Sequence, residues 1–135
     1  MKTVGNILHL TLKKKWFDMI LSGEKTEEYR EIKPYWIKRL LEYRGVYSYP
    51  IMSPIIKSCL SEKSFEWLAY IGMYPKFYKG DEIVFTNGYG KDKPTIKVWI
   101  KGFSIKEGKQ EWGAEPNKKY FTFHLGGIVS KSNCG

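Results

Sequence analysis

Ile96, Val98 and Ile100 alternate with Lys97, Trp99 and Lys101, a two-residue period that commits this stretch to a strand with one buried face. Phe121, Phe123 and Leu125 alternate with Tyr120, Thr122 and His124 in the same way, as do Leu8, Leu10 and Leu12 with His9 and Thr11. Sheets with one apolar face need a second layer to bury it. That layer is written at helical spacing: Trp16, Phe17, Ile20 and Leu21 predict a helix from Lys13 that stops near Gly23, and Pro34 opens a second helix carrying Ile37, Leu40 and Leu41 as far as Gly45. Pro50 and Pro54 within Val46–Leu60 point to an interrupted strand or an irregular crossing segment. Ser61 is placed to cap a third helix with Phe65, Leu68 and Ala69 inward, ended by Gly72 and Pro75. Ile83 and Phe85 form a further strand face, and Asn87-Gly88-Tyr89-Gly90 marks the turn that follows it. The expectation is an α+β fold: a small β-barrel, mixed and largely antiparallel, with flanking helices. One domain is expected over 1–130 and a frayed tail over 131–135.

At 135 residues and 42% hydrophobic content the chain is long enough for one core, which excludes wholesale disorder. Cys59 and Cys134, with His9 and His124, have no ligand spacing for zinc and no disulfide framework. Neither a metal nor a cofactor is expected. No segment reaches the roughly 18 apolar residues of a membrane span, and the N-terminus reverses the order of a secretory signal. A soluble, cytoplasmic protein with no membrane partner is therefore expected. Its formal charge of +9 attracts polyanions, with nucleic acid first among them. Against that, the cations are twenty lysines and three arginines, and Lys is the ordinary solvated surface charge.

Residues 23–31, GEKTEEYRE, are the stretch that packing explains least. As a strand, it puts Thr26, Glu28 and Arg30 on one face and Glu27, Tyr29 and Glu31 on the other, so neither face is an apolar surface that would hold it. It reads as an edge strand protected by its charges, as a continuation of the first helix with Glu27 and Arg30 paired, or as a site. In the third reading Glu28 and Arg30 form an ion pair whose remaining donors face a ligand, with Lys25 above them.

Gly23, Lys25, Glu28 and Arg30 also match the G-x-K-x-x-E-x-R signature of ASCH domains, a branch of the PUA-like superfamily. KGDEIVFTNGYG at 79–90 and WGAEPNKKYFTFHLG at 112–126 resemble later strands of that family. The resemblance implies a PUA-like barrel with flanking helices and a cleft, containing the signature residues, that binds RNA. One branch of the family hydrolyses the amide of acetylated cytidine nucleosides with a Lys, a Thr and a Glu. Lys25 matches that Lys, but three residues on stands Glu28, and a carboxylate does not attack as a hydroxyl would.

The leading expectation is thus RNA, or a nucleotide-like ligand, bound in a basic cleft. Lys25 would meet phosphate or a base carbonyl, Arg30 would be a planar donor, and Glu28 would orient Arg30 or accept from an exocyclic amine. Tyr29, Tyr89 and Trp112 are candidate stacking rings, and Asn87 belongs to the same turn as Tyr89. Lys13, Lys14 and Lys15 open the first helix, where positive charge opposes the dipole by about 0.3–1 kcal/mol each, a weak argument for an anion contact set against the more ordinary reading of a solvated run. Trp99, flanked by Lys97 and Lys101, is either an outward platform for single strands or a ring covered by a helix. His124, with no carboxylate partner in view, reads as structural. The alternatives are a small hydrolase acting on a modified nucleoside or on RNA, with Lys25 as base and Glu28 as its partner, and a protein-interaction module.

Overall fold

The computed structural model describes residues 5–62, 70–88 and 92–134. Its elements run β1 (Ile7–Leu12), α1 (Lys14–Leu21), β2 (Glu27–Glu31), α2 (Pro34–Leu40), β3 (Leu41–Tyr43), α3 (Tyr49–Glu62), β4 (Met73–Pro75), β5 (Glu82–Asn87), β6 (Thr95–Glu107), a 3-10 turn at Gln110–Trp112, and β7 (Lys119–Ser132). Five strands form one mixed sheet in the order β1-β5-β6-β7-β2, and β3 and β4 pair as a separate antiparallel ribbon. The fold is α+β, as the periodicity predicts, but the sheet is open where a closed barrel was expected. Closure needs the first and last strands to pair, and here β1 and β2 stand at opposite ends of the order.

By internal contacts the chain divides into two compact units, the first made of Met1–Glu28, Phe77–Phe103 and Phe123–Gly135. Its β1 runs parallel to β5, and β5 runs antiparallel to β6. The register pairs Leu8 with Ile83 and Leu10 with Phe85, then Ile83 with Val98 and Phe85 with Ile96, so the alternating residues form one continuous buried face. Phe17 and Ile20 of α1 are buried with them. Burial of each such side chain is worth roughly 1.5–3 kcal/mol, which accounts for a first unit built from these short runs. Gly23, at φ +86°, takes the left-handed conformation that ends α1, and its N–H bonds Ile20 O at 3.1 Å. β7 runs through Ser132, two residues into the segment expected to fray.

The second unit is Tyr29–Lys76 with Ser104–Thr122. Pro34 falls at the start of α2 as expected, and Ile37 and Leu40 are buried. The helix stops at Leu40 rather than near Gly45, because Leu41 turns extended and starts β3. Residues 49–62 are the larger correction: α3 occupies the segment that its prolines mark as irregular. Pro50 lies in the first turn, where its missing N–H has no intrahelical partner to lose. Pro54, inside the helix, costs about 3 kcal/mol, offset by burial of Met52 and Ile56 one turn apart. Ser61, expected to cap a third helix, lies instead in the last turn of α3, and Phe65, Leu68 and Ala69 lie outside the described residues. A second cluster joins Tyr29, Ala114 and Tyr120, with Trp112 packed against it.

Candidate nucleic-acid interface

Segment 23–31 is a strand from Glu27 onward and not a continuation of α1. After Gly23 the Lys25 N–H turns back to Met19 O at 2.9 Å, which fixes Lys25 just ahead of β2. Its side chain runs inward, with Nζ 6.0 Å from the Trp16 ring centroid. There Nζ bonds Glu27 O and lies 2.7 Å from Glu28 Oε1, with the two side chains 0% and 6% exposed. An ion pair therefore holds Glu28 to Lys25. This pair supplies what the strand lacks in apolar surface, an inward anchor at both Lys25 and Glu28.

Beside that anchor a pocket of about 400 Å³ opens, lined by Thr26, Lys101, Gly102, His124 and Leu125. Thr26 O accepts the Leu125 N–H at 2.9 Å, which holds this wall together. His124 Nδ1 lies 3.5 Å from Glu27 Oε2, so the imidazole has a carboxylate that orients it. That partner was invisible along the chain because Glu27 and His124 are nearly a hundred residues apart. The only hint is that His124 points away from the row of Phe121, Phe123 and Leu125. At Gly102 the absent side chain keeps the floor open, since a Cβ there would reach 3.5 Å from His124 Cδ2.

Lys101 joins this pocket to the outward face of β6. On that strand Ile96, Val98 and Ile100 are buried while Trp99, between Lys97 and Lys101, is 45% exposed. The indole is thus outward, as one of the two sequence readings had it. A half-exposed aromatic ring flanked along the strand by two lysines offers both a stacking surface and phosphate contacts.

Of the other predicted residues, Arg30, Tyr29 and Trp112 belong to the second unit and Lys13, Lys14, Lys15 and Asn87 to the first. In the second unit Arg30 donates from Nη1 to Tyr29 O at 3.1 Å, and its guanidinium lies 5.1 Å from the Trp36 ring, which Arg39 also approaches at 5.3 Å. Tyr29 is buried against Tyr120, with centroids 5.7 Å apart, and its hydroxyl accepts the Lys109 N–H at 3.0 Å, so its ring is part of a core. Trp112 packs on the same cluster, with Lys109 Nζ 4.4 Å from its centroid. Lys13, Lys14 and Lys15 are exposed at the start of α1. Lys14 pairs with Asp18 one turn on, and Lys15 lies over Trp16 at 4.7 Å. Asn87 ends β5, its N–H bonding Pro94 O at 3.0 Å. Tyr89 lies outside the described residues.

Among the described residues no three His, Cys, Asp or Glu side chains gather as a metal site, and no helix is long and apolar enough to cross a membrane. No protein-family model, curated protein or solved structure matches this chain.

Proposed function

We propose that this chain is an ASCH-type protein that binds single-stranded RNA, or a nucleotide-like piece of it, on the outward face of its first unit. Trp99 is the stacking ring, Lys97 and Lys101 meet backbone phosphate, and the pocket of Thr26, Gly102 and His124 receives a base. The observation that carries this reading is Trp99, left 45% exposed between two lysines on a stretch of β6 where Ile96, Val98 and Ile100 are buried. The exposed part of that ring offers a surface to a base, and stacking is worth about 1–3 kcal/mol per base. Lys25 and Glu28 act in this reading from beneath, as the brace that fixes Thr26 and Glu27 at the pocket wall. Arg30, its guanidinium over the Trp36 ring, is a further planar donor on the second unit.

Fluorescence titration with labelled single-stranded RNA at about 50 and about 200 mM salt tests it. Binding should weaken with salt and fall roughly tenfold or more in Trp99→Ala. Binding that is undetectable, insensitive to salt, or unchanged in both Trp99→Ala and Lys101→Ala overturns it.

A second reading, hydrolysis of an acylated nucleoside, draws on the carboxylate-oriented His124 at the pocket. There His124 would be the base, since Lys25 Nζ is already held by Glu28 and by Glu27 O. Turnover of acetylated cytidine that disappears in His124→Gln would favour it over binding alone.

A further inference from the structure

The second unit holds a separate cavity that no part of the RNA reading uses. It encloses about 310 Å³ and is lined by Pro34, Tyr35, Ile37 and Lys38 of α2 and by Tyr49, Ser53, Ile56 and Lys57 of α3. Spacing explains the convergence. Pro34, Ile37 and Lys38 recur at three and four residues on α2, while Tyr49, Ser53, Ile56 and Lys57 do so over two turns of α3, so one face of each helix lines one cavity.

The chemistry is layered. Ile37 and Ile56, both buried, make an apolar floor. Two tyrosine rings form walls already fixed by neighbours. Tyr35 packs edge-on to Trp36 at 4.8 Å and accepts a bond from Arg39 Nη1 at 3.3 Å. Tyr49 packs edge-on to Tyr43 at 5.9 Å. At the rim stand the Ser53 hydroxyl and two exposed lysines, and among the described residues no acidic side chain joins the lining. Walls of this kind suit a flat ring, and two ammonium groups beside a hydroxyl suit an anion at one end of it. The volume is at the lower end of ligand pockets, roughly 300–1,000 Å³, which limits the ring to one with a single small substituent.

We infer that the α2–α3 cavity is a binding site for a small aromatic anion, a planar ring bearing one phosphate. The ring lies on Ile37 and Ile56 between Tyr35 and Tyr49, and its phosphate meets Lys38, Lys57 and Ser53. The site is independent of the outward face of β6, so each can fail without the other.

Titration of the isotope-labelled full chain with phenyl phosphate, followed through its amide resonances, tests this directly. Saturable shifts should concentrate at Tyr35, Lys38, Ser53 and Lys57. Inorganic phosphate and phenol should each bind about tenfold more weakly or worse, and the Lys38→Gln/Lys57→Gln variant should lose about tenfold in affinity. Ser53→Trp should abolish binding by filling the cavity. Should that variant not fold, the double lysine variant, which changes only exposed groups, decides. Absence of saturable shifts at these amides, equal affinity for inorganic phosphate, or unchanged affinity in the double lysine variant overturns the site.

Discussion

Lys25 Nζ lies 2.7 Å from Glu28 Oε1, and together they brace a strand that has no apolar face of its own. Buried ion pairs of this kind gain little over a well-packed apolar pair, because desolvation consumes most of the attraction. What the pair does supply is register. A strand of Glu-Glu-Tyr-Arg-Glu has no alternating apolar row to say which side faces in, and the Lys25–Glu28 bond fixes one side while the buried Tyr29 ring fixes the other.

Breaking that pair from one side should therefore cost far more than replacing both partners. Lys25→Met leaves the Glu28 carboxylate buried against an apolar chain and is expected to lose about 3–5 kcal/mol. Lys25→Met/Glu28→Leu should recover most of the loss. Urea unfolding of the two singles and the double reports the coupling, and a double that loses as much as the two singles combined contradicts the brace.

Gly108 predicts a second effect, confined to the second unit. A Cβ there would stand 2.6 Å from Ala114 Cβ and 2.9 Å from Tyr29 Cε1, neither of them the free end of a flexible chain. Gly108→Ala should cost about 1–3 kcal/mol by overpacking, seen as a lower thermal midpoint, and Ala114→Gly in the same chain should return part of it. A midpoint unchanged by Gly108→Ala contradicts the close packing of this cluster.

The uneven legibility of the fold has a physical pattern. β1, β5 and the first half of β6 are readable because Leu8 and Leu10, Ile83 and Phe85, and Ile96 and Val98 recur every second residue on the buried face, and period assigns them. α3 is hidden by Pro50 and Pro54, whose breaker signal outweighs Met52 and Ile56 unless the first proline is recognised as a helix start. The open sheet depends on long-range order, β2 joining the far edge from β1, which no local pattern encodes. Of the candidate site, Lys25 and Glu28 are legible as a polar pair lacking any packing role, and Trp99 as a ring on the wrong side of its strand. Glu27 with His124 is not, since only strand pairing brings them to 3.5 Å.

Salt dependence separates the two lysines of β6 from the remaining positive charge. Each phosphate contact removed lowers the slope of log affinity against log salt by about 0.7–0.9, so Lys97→Gln and Lys101→Gln should each flatten it by roughly that amount. Lys14→Gln, whose ammonium already pairs with Asp18, should leave the slope unchanged. Titrations at several salt concentrations check this, and equal slopes for all three variants would mean that diffuse charge and not the Trp99 face governs binding.

Gly102 distinguishes a pocket that receives a base from a mere depression near the platform. Its Cβ would meet His124 only at 3.5 Å, an ordinary contact, and its φ is not in the left-handed region. Gly102→Ala should therefore leave stability unchanged or raise it by up to about 1 kcal/mol through the unfolded chain. Gly102→Leu projects a larger group into the space bounded by Thr26, Lys101 and His124. If a base enters there, the leucine variant keeps its salt slope, since no cation is lost, yet binds RNA at least roughly tenfold more weakly. Wild-type affinity in a folded Gly102→Leu chain would confine recognition to Trp99 and its flanking lysines, because a base cannot share that volume with the new side chain.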